Sequence, residues 1–324
     1  MDPHALMGPH EWSEAMTAAS LILCPTDFSD ASRPAIRYGH AIAEHVRARL
    51  GVLTVEDRLL AEAMDLHAGP AWHREQTRRE LGRFVTSSLG TSAAGGEIDL
   101  HVAVGKPADE ILAAARRLSA DLIVMSAQGA TRMRRMFFGS TTERVLRETS
   151  VPILVTPADA APLHHGDIRS VVRRVLVPVD LSSASIAQVE AARAVCEAMR
   201  VPLLVTHVVE PVRSHVAGKL STSIELERRM RAEDALSELL ATLPQGLQPE
   251  GLVVYGDPAE EIAKVARDRD AGLIVMGLHA SPPGRHIGSV TYRVLCLTHA
   301  LCLALPAPMP AAVEEAHRET SAAM

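Results

Sequence analysis

The residues best suited by type to meet a ligand lie between positions 126 and 140. Ser126-Ala127-Gln128-Gly129 is followed by nine residues and then by Gly139-Ser140. Glycine lets the backbone turn and approach a ligand closely. Gly139-Ser140 stands at the predicted start of a helix, where unpaired N–H groups and the helix dipole favour an anion. Between the glycines, Arg132, Arg134 and Arg135 can pair with phosphate oxygens. Two plainer roles stay open: Ser140 as a helix N-cap, and the arginines as an ordinary solvated loop face. A second group is Pro25-Thr26-Asp27. The Asp27 carboxylate can accept hydrogen bonds from an amino group such as that of adenine, or it can brace the helix that follows.

Other chemistries lack their residues. There is no Walker A sequence and no GxGxxG fingerprint, which disfavours a P-loop kinase or a dinucleotide dehydrogenase. No GxSxG elbow supplies a hydrolase nucleophile. The histidines are scattered: His164-His165 has no partners at metal-ligand spacing, and His40 and His45 on the first helix read as surface residues. No metal site is assigned. Cys24, Cys196, Cys296 and Cys302 form no CxxC pair and read as buried free thiols of a reducing compartment.

The elements that position these residues occur twice. Ile22–Asp27 matches Val175–Asp180, Gly105–Ile111 matches Gly256–Ile262, and Leu122–Met125 matches Leu273–Met276. Gly139-Ser140 matches Gly288-Ser289, and Arg144-Val145-Leu146 matches Arg293-Val294-Leu295. A period as long as a domain means duplication rather than a solenoid.

Within the first copy, apolar runs predict strands at Leu21–Pro25, Gly51–Val55, Ile98–Val104, Asp121–Met125 and Pro152–Thr156. In the second copy they fall near 174–178, 202–208, 251–255, 272–276 and 301–305. Tyr38, Ile42, Val46 and Leu50 form a helical stripe, capped by Ser29 or Asp30. Pro107 suits a first helical turn, and Ser140–Glu143 reads as a capping box. Alternating strands and helices predict two tandem, doubly wound, five-stranded parallel sheets. The boundaries are an extension at 1–18, domains at 19–157 and 172–306, a linker at 158–171 and a mobile tail at 307–324. In such folds ligands sit beyond the carboxyl ends of the strands where strand order reverses, which here means the loops after the first and fourth strands.

Composition agrees with two soluble domains. Hydrophobic residues make up 47% and charged residues 22% of 324 residues, while aromatics are only 3%. The core is therefore aliphatic, and stacking platforms for single-stranded nucleic acid are not expected. A net charge of −6 argues against general nucleic-acid binding. The N-terminus has no signal-peptide pattern and no apolar run is long enough to span a bilayer, so a cytoplasmic protein without membrane partners is expected.

Taken together, Pro25-x-Asp27, Gly105-Lys106-Pro107-Ala108, and Ile123-Val124-Met125-Ser126-x2-Gly129-x9-Gly139-Ser140 followed by Glu143-Arg144-Val145-Leu146 resemble the universal stress protein family. The resemblance is to its tandem form and covers roughly 20–157 and 172–306. It implies a Rossmann-like fold of the adenine nucleotide alpha-hydrolase type, and ATP as ligand, with Mg carried on its phosphates. Asp27 and Val55 would then hold adenine. Ser126, Gly129, Gly139, Ser140 and Thr141 would surround ribose and phosphates, and Pro25, Thr26, Met125, Gln128 and Arg132 would complete the nucleotide site. Ser126 stands where the family's first glycine is usual.

The second copy departs further. It keeps Asp180, Val208, Gly277, Gly288 and Ser289, but Ala280 replaces the second glycine and the loop is two residues shorter. It is expected to bind nucleotide weakly or not at all. The resemblance also implies intramolecular pairing of the domains through their last strands, with a homodimer conceivable. The leading reading is a nucleotide-binding regulatory protein with no catalytic residues. An interaction scaffold without nucleotide comes second and a slow ATPase third.

Overall fold

A computed structural model describes residues 19–90, 97–127, 139–157, 159–163, 167–182, 184–211, 219–243, 249–278 and 289–306. The expected extension, the tail, His164-His165, Gln128, Gly129, Arg132, Arg134, Arg135, Ala280 and Gly288 lie outside these.

The first half runs β1 (Leu21–Thr26), α1 (Arg33–Val46), β2 (Arg49–Glu56), α2 (Arg58–Ala68), α3 (Pro70–Leu89), β3 (Ile98–Val104), α4 (Pro107–Arg117), β4 (Leu122–Ser126), α5 (Ser140–Glu148) and β5 (Ile153–Thr156). The second runs β6 (Val175–Val179), α6 (Ala184–Met199), β7 (Leu203–Val209), α7 (Lys219–Ala241), β8 (Glu250–Tyr255), α8 (Pro258–Asp268), β9 (Leu273–Gly277), α9 (Ser289–Leu297) and β10 (Leu301–Leu305).

The strands do not form two separate sheets as the sequence suggested. They form one ten-stranded sheet in the order β3-β2-β1-β4-β5-β10-β9-β6-β7-β8. Each half is parallel within itself, but β10 pairs with β5 antiparallel, with Cys302 opposite Val155, Leu303 opposite Leu154 and Ala304 opposite Ile153. The expected pairing of last strands is what merges the halves, because each edge supplies the main-chain partners the other lacks.

Side chains alternate across the strands, which gives one core on each face. Ile22, Cys24, Val124, Leu154, Val175, Val177, Val275 and Leu303 pack under α1, α3, α6 and α7. Leu23, Ile123, Ile153, Leu176, Ile274 and Cys302 pack under α4, α5, α8 and α9. Both cores run through the seam between the halves. Gly39 lets α1 settle onto β1, since a Cβ there would stand 2.3 Å from Cys24 Sγ. The thiols of Cys24, Cys196 and Cys302 are buried and free, and burial pushes those of Cys196 and Cys302 up to about 12.

Four local expectations need correction. Leu50 belongs to β2, not to the helical stripe, because Arg47 turns left-handed (φ 61°) and ends α1. Ser29 and Asp30 do not cap α1: they lead a 3-10 turn, Asp30–Ser32, and the N-cap position falls on Ser32 without a side-chain cap bond. The Ser32 hydroxyl instead donates to Ser29 O at 2.8 Å. His40 is buried rather than on the surface, since helical spacing places it on the face of Ile36 and Ala43. Ser140–Glu143 is not a capping box, because Gly139 holds the N-cap position and Ser140 is already helical.

Candidate functional site

β1 is hydrogen-bonded along its length to β2, but to β4 only at Ile22–Leu122 and Leu23–Ile123. Beyond that point strand order reverses and a crevice opens at the carboxyl ends. Pro25, Thr26 and Asp27 enter it from β1, Val55 from β2, Met125 and Ser126 from β4, and Gly139, Ser140 and Thr141 from the start of α5. The cleft measures about 310 Å³, with Leu53, Pro107 and Ile111 as apolar wall. It brings together all the expected residues of the first half that are described.

The polar groups are held by neighbours. Ser32 gives its proton to Ser29 O, so the Thr26 hydroxyl donates to Ser32 Oγ across 2.7 Å and accepts from Phe28 N at 3.2 Å. Asp27 Oδ1 accepts from Ser29 N at 3.0 Å and from Ser29 Oγ at 2.5 Å. This braces the turn and leaves Asp27 exposed at the cleft mouth. At the other wall, Thr142 Oγ1 donates to Ser126 O at 3.0 Å, tying the start of α5 to the end of β4. Gly139 at the N-cap position has no side chain to cap the first N–H groups of α5, and such groups are the donors a helix start presents to an anion. On the face behind, Arg144 joins α5 to Asp109 of α4 and pairs with Glu148 at 3.0 Å.

The second half repeats the crevice between β6 and β9, which pair only at Val175–Leu273 and Leu176–Ile274. Asp180, Val208 and Gly277 line it, and its volume among the described residues is about 620 Å³. Ser289 opens α9. Asp180 Oδ1 accepts from Ser182 N and Ser185 Oγ, both at 2.9 Å. Thr291 Oγ1 reaches Gly277 O at 3.5 Å, as Thr142 reaches Ser126 O.

One feature has no equivalent in the first half. Gln188, 9% exposed, donates its amide to Pro178 O at 2.8 Å and to Val275 O at 2.9 Å. It bridges β6 and β9 where they part. Counting from Asp27 and Asp180, the same place in the first half is Ala35, which has no group to do this. His207 Nδ1 lies 2.9 Å from Val179 O, and Arg228 donates to Glu210 O at 2.9 Å on the rim.

Sequence reasoning missed Thr142 and Gln188. The repeat itself carried both signals: threonine recurs at Thr142 and Thr291, and glutamine replaces alanine at 188. Among the described residues no group of three His, Cys, Asp or Glu is arranged to hold a metal, and no helix is long and apolar enough to cross a membrane.

Parallel strands, helices on both faces and a crevice at each reversal of strand order define a tandem α/β protein of the Rossmann-like class. The chain belongs to the universal stress protein family, whose profile matches residues 20–157 and 172–303. A universal stress protein of Methanocaldococcus jannaschii is 31% identical over 137 residues, covering 41% of this chain and 79% of the relative. One from Thermus aquaticus is 31% identical over 136 residues, covering 41% of this chain and 96% of the relative. Among solved structures, a universal stress protein from Archaeoglobus fulgidus is similar over 88% of this chain and 98% of its own, with a TM-score of 0.62 and 20% identity. That last likeness speaks for the fold alone.

Proposed function

We propose that this protein is a nucleotide-binding regulator of the stress response, taking ATP or a related adenine nucleotide in the cleft of its first half. Family membership supports the general stress role. The observation that carries the nucleotide reading is convergence: β1, β2, β4 and the start of α5 deliver Pro25, Thr26, Asp27, Val55, Met125, Ser126, Gly139, Ser140 and Thr141 to one cleft. Asp27 and Val55 suit adenine. The first turn of α5, with glycine at its N-cap position, suits a phosphate chain, with Mg carried on the phosphates. Gln128, Gly129 and Arg132 complete the proposed set from sequence. In the second half, Gln188 spans the floor where β6 and β9 part, Ala280 replaces the second glycine and the loop is two residues shorter, so nucleotide binding there is weak or absent.

Calorimetry with Mg-ATP on the full chain, with released phosphate followed in parallel, tests this. The expected result is one site per chain and no turnover. No heat of binding at any concentration would leave the scaffold reading. Sustained phosphate release would make the protein an ATPase.

A further inference from the structure

Away from the cleft, one cluster of ionisable side chains is packed into the first half. His73, in the first turn of α3, is buried. Its Nε2 lies 3.1 Å from Glu56 Oε1 and its Nδ1 lies 2.9 Å from Asp65 Oδ1. Thr77, one turn further along α3, donates to the same Glu56 oxygen at 2.6 Å. The other oxygen, Glu56 Oε2, is buried with no hydrogen-bond partner.

This geometry selects a protonation state. Both ring nitrogens face carboxylate oxygens, which only accept. A neutral imidazole has one donor and one lone pair, so it satisfies one carboxylate and repels the other, whereas imidazolium donates to both. The hydrogen bond to Asp65, helped by the charge of Glu56, holds the His73 pKa above its usual value against the opposing effect of burial. A neutral ring would also leave Glu56 buried without a counter-charge. Glu56 from β2 and Asp65 from α2 are the ionisable groups that face the ring. Arg33 of α1 meets α3 beside Ser87 and Ser88, about four turns away, and β3 meets it through Leu100 at Gly82.

α3 reaches the cleft at two places. Glu56 directly follows Val55. Phe84 packs edge-on against Phe28, with ring centroids 5.5 Å apart, and Phe28 directly follows Asp27. Arg33 stacks over the same Phe84 ring at 4.3 Å. The two residues proposed to hold adenine are therefore each one residue from a contact with α3.

From this we infer that His73 is a pH-responsive positioning residue. Charged, it clasps α3 to the end of β2 and fixes the walls that carry Asp27 and Val55; neutral, it lets them part. The inference rests on the nucleotide reading of that cleft. A group whose folded pKa is raised stabilises fully below its unfolded value, about 6.5, and that contribution is lost as pH rises through the folded value. The clasp therefore opens on the alkaline side. In the second half Val209 stands at the place of Glu56, so that place offers no carboxylate to a clasp.

The test uses the full chain between pH 6 and 9.5. Amide exchange of α3, corrected for intrinsic rates, is measured without ligand, and the Mg-ATP Kd is measured by calorimetry. In the wild type, α3 protection should fall with rising pH and Kd should rise on the order of threefold to tenfold, as up to one pKa unit of differential protonation allows. His73→Gln should flatten both profiles. Asp65→Asn, at a half-exposed position that leaves the fold intact, should move the midpoint to lower pH. A flat wild-type exchange profile, or a midpoint unmoved by Asp65→Asn, overturns the clasp. Exchange that follows pH while Kd does not overturns its hold on the cleft. Exchange that follows pH with no Mg-ATP binding at any pH defeats the nucleotide reading and leaves the clasp standing.

Discussion

The two crevices of this molecule are made by equivalent strands and furnished with different side chains. In each, the central strand parts from its neighbour after two paired residues, an aspartate braces the loop beyond, and a threonine ties the next helix to the strand end. Only the second has Gln188 across the parting strands. Only the first has α3 locked by His73 to the strand beside its cleft. The difference teaches that the backbone layout is common property of both halves, while the crevice floor and rim differ by a handful of substitutions.

The most disruptive test strikes what the halves share. Leu303 is buried in β10 opposite Leu154, in the core that spans both halves. Leu303→Ala should cost about 2–5 kcal/mol, and chemical denaturation followed by circular dichroism should show both halves melting together. Separate transitions would mean that the seam does not couple them. The next test separates the halves. Asp27→Ala should weaken Mg-ATP binding about 10- to 100-fold, the worth of a hydrogen bond to a charged group, while Asp180→Ala leaves calorimetric affinity unchanged. Equal losses would erase the proposed asymmetry.

Smaller effects sharpen it. Gln188→Ala strips two buried carbonyls of their donor and should destabilise the protein by about 1–3 kcal/mol, read from the urea midpoint, with Mg-ATP affinity untouched. The smallest expected effect is at a helix cap. Asp257 accepts from Ala259 N and Glu260 N at the start of α8, and the Arg293 guanidinium holds its carboxyl below the usual range. Its place in the first half is taken by Lys106, which makes no side-chain cap bond. Asp257→Ala should cost about 1 kcal/mol. Because the folded pKa is depressed, that loss should be seen above the unfolded value, about 3.9, and vanish as pH falls through the folded one. Lys106→Ala should be near neutral throughout.

The central strands were legible because parallel strands buried on both faces read as short apolar runs, and Leu301–Leu305 falls where the run predicts. The pairing of β5 with β10 was legible only through the family resemblance, since main-chain pairing leaves no mark on either strand alone. The side-chain caps expected for α1 and α5 failed for a local reason. Ser29, Asp30 and Ser140 have capping chemistry, but Ser29 and Asp30 are used in the turn ahead of α1 and Gly139 takes the N-cap position of α5. The cleft residues were readable as a motif. The His73 clasp was not, because its partners come from two other elements and become neighbours only when α2 folds back on α3.

The antiparallel seam between β5 and β10 has one more consequence. It sends the carboxyl ends of the strands in the two halves to opposite ends of the sheet, so the chain carries within itself both members of a back-to-back pair. A pair assembled from identical separate chains must present two identical sites and depends on concentration. Here the stoichiometry is fixed by the peptide bond and holds at any dilution, and nothing obliges the two sites to remain alike. Covalent fusion thus frees the crevice of one half to diverge while that half still completes the sheet of the other.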